Sequence, residues 1–292
     1  MELYAAGCNA FGQLNFGPSG PSDVPKFTKI ASGTTIEKPV SRLVYTLIKI
    51  DGEYLKAGHP PDKSLVVNAY SMAVRANEDS LRADTRRQAA SVLKKGGQSE
   101  THQVDGIIAQ IAAFDTGFII LYENGRIATM GDPRFPAPLG RMPTKQQPAE
   151  KFEMLPEFAP EDPVKHITAC GYAAAALTEL GSVYIWGRNL PSRPTEHFFP
   201  GLSTWANYVS IADSKEIEDF ALGETHAIAL TCDGEIYVIG NNENGQLGMP
   251  GSEVLHTWTK VEFSPPDDYL ITGVAAGPHT SFIIVSERNR YD

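Results

Sequence analysis

Hydrophobic and polar positions alternate with period two along much of this chain, and glycine breaks the alternation at recurring places. The clearest instance runs from Gly223 to Gly248. There His226, Ile228 and Leu230 alternate with Ala227 and Ala229, Asp233-Gly234 intervenes, and Ile236, Val238 and Gly240 alternate with Tyr237 and Ile239. Alternation on both sides of Asp-Gly predicts a β-hairpin with a primed two-residue turn, because that dipeptide tolerates the positive φ such a turn needs. Beyond it, Asn241 to Gly248 form a polar loop ending in Gly245-Gln246-Leu247-Gly248. Its glycines permit a tight reversal and its leucine can fill an apolar gap.

The same plan recurs elsewhere. Residues 3–17 repeat the second half, with Gly7, Asn9 and Gly12-Gln13-Leu14, while residues 270–285 repeat the first half, with Gly277, His279 and a strand from Ser281 to Val285. A closed ring that pairs its first and last strands in one sheet gives that split, and closure removes exposed edges. Hairpins are also expected on Asp51-Gly52, Asn124-Gly125 and Leu180-Gly181, so the turn glycines at 52, 125, 181 and 234 are 73, 56 and 53 residues apart. Such steps match propeller blades rather than helical solenoids.

Within the long step, residues 65–84 read as a degenerate copy with Ser71 to Arg75 as its inner strand. Residues 84–95, with Leu81, Thr85, Ala89 and Val92 at helix-like steps, read as a short surface helix or a flexible basic insertion. Proline-rich stretches at 133–163 and 191–200 are expected to run as loops and edge strands. The expected architecture is a single all-β domain over residues 1–292, a propeller of about six blades (five to seven), with a degenerate or inserted segment at 60–105.

Composition narrows the function classes. A net charge of −10 argues against binding driven by nucleic-acid phosphate and against an anionic membrane surface. Cys8, Cys170 and Cys232 lack close spacing, so neither a disulfide framework nor a self-contained zinc site is expected. No apolar run reaches membrane-spanning length and the N-terminus lacks a signal-peptide pattern, so a cytoplasmic location, extending to the nucleus, is expected.

Gly-x-x-His, an apolar strand, Asp-Gly, a strand ending in glycine and then Asn-x-x-Gly-Gln-Leu-Gly resemble the repeat of the regulator of chromosome condensation (RCC1) family of β-propellers. The best copy has Gly223, His226, Asp233, Gly234, Gly240, Asn242, Gly245 and Gly248. Gly171 to Asn189 is a second, with Tyr172 and Ala174 blurring the histidine position and Trp186-Gly187 at the strand end. The resemblance covers most of the chain and is weakest over 60–105. It implies a propeller, commonly of seven blades, although five or six copies are visible here. It leaves activity open, because members include exchange factors, ubiquitin-ligase modules, enzyme inhibitors and adaptors.

A compact acidic chain without tails is most similar, within that family, to the fungal type known as alpha-tubulin suppressor or killer-toxin-insensitivity protein. That resemblance implies a non-catalytic adaptor without a cofactor. Its partner would be a small zinc-binding diphthamide-biosynthesis protein, serving Elongator-dependent tRNA wobble-uridine modification and diphthamide formation on elongation factor two. The alternative is a guanine-nucleotide exchange factor for a Ran-like small GTPase; the basic chromatin tail typical of that role is not found in this sequence.

No catalytic constellation stands out. His226 and His279 recur at equivalent repeat positions, which suits hydrogen bonding to a neighbouring loop better than catalysis. Glu216, Glu218 and Asp219 read as a solvated face, and His166 with Cys170 lacks further metal ligands. Lys94 to Ser99 lack the order of a phosphate loop. The aromatics Phe198, Phe199, Trp205 and Tyr208 either seal a core or form a protein-binding hot spot, with core the commoner case. Arg188, Asn189 and Trp258 follow strand ends and are expected rim contacts.

Overall fold

The computed structural model describes residues 1–17, 23–60, 73–76, 79–84, 89–93, 97–156, 158, 160–189, 198–251 and 253–288. The strands run as β1 (Glu2–Cys8), β2 (Asp23–Ser32), β3 (Val40–Ser41), β4 (Tyr45–Ile50), β5 (Glu53–Gly58), β6 (Ala73–Ala76), β7 (Asp79–Asp84), β8 (Ala89–Leu93), β9 (Ser99–Gln103), β10 (Ile108–Phe114), β11 (Gly117–Tyr122) and β12 (Ile127–Gly131). They continue as β13 (Glu153–Met154), β14 (Val164–Cys170), β15 (Ala173–Thr178), β16 (Val183–Gly187), β17 (Asn207–Val209), β18 (Ile217–Leu222), β19 (His226–Thr231), β20 (Ile236–Gly240), β21 (Leu255–Val261), β22 (Tyr269–Gly277) and β23 (Thr280–Glu287). Among the described residues they make six antiparallel sheets, five of four strands and one of three. Two compact units contain them.

The first unit spans Met1–Val66, His197–Pro200 and Ser210–Asp292. Its sheets are β2-β1-β23-β22, β3-β4-β5 and β18-β19-β20-β21. The first and last strands share one sheet as the split repeat requires, with Leu3 opposite Ile284 and Ala5 opposite Phe282. All six side chains of β19 are buried. Large Ile228 and Leu230 fill one face, packing with Val238, Val274 and Ile283, while small Ala227 and Ala229 occupy the other. Leu247 and Leu14, the leucines of the Gly-Gln-Leu segments, are 0% and 2% exposed, each burial stabilising by about 2 kcal/mol.

The hairpin turn at Gly234 differs from expectation in type. At Asp51-Gly52 both residues have positive φ (51° and 84°) and Ile50 pairs with Glu53, a primed two-residue turn. At Gly234, however, only the glycine is left-handed, and Thr231 N donates to Glu235 O while Gly234 N donates to Thr231 O. That is a three-residue loop, a type I turn followed by a left-handed residue. Gly125 and Gly181 repeat it.

The second unit spans Val67–Glu196 and Gly201–Val209, with sheets β6-β7-β8-β9, β10-β11-β12-β13 and β14-β15-β16-β17. Its first sheet corrects the reading of residues 84–95. Ala89–Leu93 of that span form strand β8 in place of the expected helix or insertion, with Leu81 opposite Val92 and Ala83 opposite Ala90. Leu81, Ala90 and Val92 join a buried cluster with Ile108, Phe118 and Ile120, and that burial outweighs the helix preference of the flanking Ala, Gln and Arg. Among the described residues the degenerate copy's strands begin with β6 at Ala73–Ala76, overlapping the expected Ser71 to Arg75, and run on past Asp84 to β9 at Ser99–Gln103. Residues 71 and 72, and Lys94 to Gly96 of the phosphate-loop lookalike, fall outside the described residues. In the next sheet, Leu139-Gly140 of the proline-rich stretch supplies a leucine plug like Leu247, with Leu139 fully buried.

Candidate functional site

The polar positions of the repeat build loops. In the first unit His226 is fully buried, its Nε2 lying 2.9 Å from Ser281 Oγ and 3.2 Å from the Thr280 carbonyl. A carbonyl can only accept, so Nε2 carries the proton. Burial, aided by nearby His279, pushes the His226 pKa down to about 3, so the ring stays neutral. Gly223 lets it fit: a Cβ there would lie 2.0 Å from His226 Cε1. His279 sits 3.4 Å from Glu224, and a Cβ on Gly277 would strike Ser41. Asn242 Oδ1 accepts from Leu247 N, and Gln246 Oε1 from Asn244 N. Asn9 and Gln13 do the same for Leu14 and Phe11. Gly240, Gly245 and Gly248 hold positive φ in these turns.

The surface beside that sheet carries an ion-pair network. Lys215 bridges Asp233 and Glu235, Lys260 reaches Glu235 at 2.6 Å, and Tyr237 donates to it. Lys215 and Lys260 hold the Glu235 carboxyl down to about 2. Asp219, by contrast, corrects the solvated-face reading. It is 8% exposed, and it accepts hydrogen bonds from Lys38 Nζ (2.6 Å), Phe220 N (2.9 Å) and Val274 N (2.8 Å). Its acidic neighbours Glu216 and Glu218 are exposed, as expected.

The seven expected contact residues divide. Phe198 and Phe199, in the first unit, are only 2% and 5% exposed, so they are core and present no surface. Trp258, also there, is half-buried, its ring 6.0 Å from Phe220. The other four belong to the sheet of β14 to β17. Arg188 is exposed at the end of β16, Asn189 is half-buried after it, and Trp205 and Tyr208 are 49% and 53% exposed on the outer side. Tyr208 lies opposite Tyr184 with rings 6.0 Å apart, and Phe158 stacks edge-on to Tyr184 at 5.3 Å. Beneath them Trp186 is fully buried and donates from Nε1 to Pro138 O. Trp205 N donates to Ser203 Oγ, and Asn207 Nδ2 donates to Gly201 O and Ser203 Oγ, which fixes the loop presenting the tryptophan.

Sequence reasoning missed a run of contacts that starts at the backbone of Arg188. Arg188 N donates to Tyr172 O, the Tyr172 ring packs on Phe135 at 5.5 Å, and the Arg134 guanidinium lies 5.7 Å from the Phe135 centroid. Their signal was position: Tyr172 follows Gly171, and Phe135 lies four beyond Gly131, the glycine that ends β12 as Gly187 ends β16. A second missed group is Arg141, 5% exposed, whose guanidinium donates to the carbonyls of Thr129, Gln147, Pro148 and Lys151 and so clamps its own loop. Among the described residues no cluster of His, Cys, Asp and Glu suits a metal ion, and no helix is long and apolar enough to cross a membrane.

Residues 217–246 match the Regulator of chromosome condensation (RCC1) repeat family. The human E3 ubiquitin-protein ligase HERC2 is 24% identical over 96% of this chain, which spans 5% of that protein's length. Among solved structures, human WBSCR16 superposes with a TM-score of 0.70 at 14% identity, covering 98% of this chain and 99% of the other. Yeast RCC1 (Prp20), in its complex with Kap60, superposes with a TM-score of 0.61 at 12% identity, covering 99% and 89%.

Proposed function

We propose that this chain, an RCC1-repeat protein with the fold of RCC1-like β-propellers, is a non-catalytic adaptor that binds one protein partner. The observation that carries this reading is the pair Trp205 and Tyr208, about half exposed on the outer strand side of a sheet whose central strand β15 is wholly buried. Large rigid aromatics supply contact area at low entropy cost, as binding hot spots do. His226, Asn242 and Gln246, the residues of the repeat most suited to chemistry, are committed to loop bonds. In a solved structure Kap60 is bound to yeast RCC1 (Prp20), a protein that shares this fold.

The partner we propose is a small zinc-binding diphthamide-biosynthesis protein, placing the chain in Elongator-dependent tRNA wobble-uridine modification and diphthamide formation, in the cytoplasm and the nucleus. This reading rests on the repeat pattern taken together with the length of 292 residues and the net charge of −10. Affinity purification from the native organism followed by mass spectrometry tests it, with a stoichiometric small zinc protein expected. Recovery without one counts against the partner. Accelerated release of fluorescent nucleotide from a Ran-family GTPase would replace the adaptor reading with the exchange-factor one.

A further inference from the structure

Three side chains of the second unit, Arg134, Phe135 and Tyr172, form a row that the sequence does not advertise, and the backbone of Arg188 is bonded to its last member. Arg134 stands over Phe135, Phe135 packs against Tyr172, and Tyr172 is tied by its carbonyl to the backbone of Arg188. The row is cation, aromatic, aromatic, and it ends where the backbone of a second cation, Arg188, is attached. The two cations are not equivalent. Arg134 is neutralised by Asp132, with Nε 3.0 Å from both carboxylate oxygens and Nη2 2.5 Å from Oδ2. Exposed Arg188 has no carboxylate within ion-pair distance among the described residues. Among the described residues its guanidinium therefore stands without an ion pair, on a chain whose net charge is −10.

The geometry points to this row as the place where the partner's carboxylate docks. A planar guanidinium binds a carboxylate through two parallel hydrogen bonds, and the half-buried Phe135–Tyr172 pair, joined to the Arg188 backbone through the Tyr172 carbonyl, offers an apolar face. The ligand that fits is an acidic side chain of a protein, flanked by an apolar or aromatic residue that lies on the ring pair. The surrounding backbone is fixed: Asp115 N donates to Gly171 O, Asp132 N to Thr116 O and Gly187 N to Ser203 O. The site is therefore preorganised, which lowers the ordering cost of binding. This inference rests on the adaptor reading and adds to it the chemistry that selects the partner.

Calorimetric titration of the full chain with the recombinant small zinc-binding diphthamide-biosynthesis protein tests it. Arg188→Glu and Tyr172→Ala each weaken binding at least tenfold, as loss of a hot-spot contact does. Arg188→Lys recovers only part, because an ammonium cannot form the bidentate pair. Arg134→Gln changes binding no more than about threefold, its charge being already neutralised. Raising the salt weakens the wild type more than Arg188→Gln. Arg188 is exposed, so a thermal melt unchanged by Arg188→Gln separates binding loss from unfolding. Wild-type affinity in Arg188→Glu alongside weakened binding in Trp205→Ala would overturn this inference and leave the adaptor reading standing. Absence of wild-type binding would remove the proposed partner and this site with it.

Discussion

Replacing His226 by alanine tests whether the repeat histidine is construction or site. The ring is fully buried, and its removal strands the Ser281 hydroxyl, itself 0% exposed, without its 2.9 Å partner. An unsatisfied buried hydroxyl costs about 1–3 kcal/mol, and the cavity left by the ring adds roughly 1–2 kcal/mol. The expected loss near neutral pH is about 3 kcal/mol.

The pH dependence gives a second, sharper signature. His226 titrates near 3 in the folded chain against an ordinary value of 6.5, so the unfolded chain binds the proton first as the solution is acidified. Its contribution is fully present above the unfolded pKa and is lost as pH falls toward the folded one. Between pH of about 7.5 and about 5 the wild type should therefore lose about 2 kcal/mol through this residue alone. Urea unfolding at both pH values, on wild type and His226→Ala, measures the difference: the variant starts lower and falls less. An equal pH slope in both proteins, or a loss of partner binding larger than the loss of stability, would refute the argument and return this stretch to candidate site.

Other expectations follow from the same geometry. Gly223→Ala should cost at least about 2 kcal/mol, because its Cβ would lie 2.0 Å from His226 Cε1, and combining it with His226→Ala should cost less than the sum, read as the coupling term of a double-mutant cycle. Asp219→Ala strands the buried Val274 N–H and should cost about 3 kcal/mol in denaturant titration, whereas Lys38→Ala, at the exposed end of the same ion pair, should cost less than about 1 kcal/mol. Trp205→Ala and Tyr208→Ala should move stability by only about 0.5 kcal/mol each while weakening partner binding at least tenfold by calorimetry; the opposite ranking would assign both residues to packing.

Much of the fold was legible because its signals are short-range. Glycine positions at 52, 125, 181 and 234 mark reversals that only a left-handed backbone completes, and all four carry positive φ. The pairing of β1 with β23 was legible too, because the two half-copies at the ends complement one another. The candidate surface was legible only in part. Arg188, Trp205 and Tyr208 could be read from strand ends and loop aromatics, but Phe135 lies 37 residues before its ring partner Tyr172, and nothing local joins them.

The sequence by itself determined the period-two strands, the turn glycines and the leucine plugs, since each follows from the backbone freedom or side-chain volume of a few adjacent residues. Tertiary structure decided which polar and aromatic groups lose water. It made residues 89–93 a strand by burying Ala90 and Val92, and it took Phe198 and Phe199 into the core while leaving Trp205 and Tyr208 outside. It also turned Asp219 from a surface acid into a three-bond acceptor for Lys38, Phe220 and Val274. Burial depends on neighbours that arrive from distant parts of the chain, and no local pattern encodes their arrival.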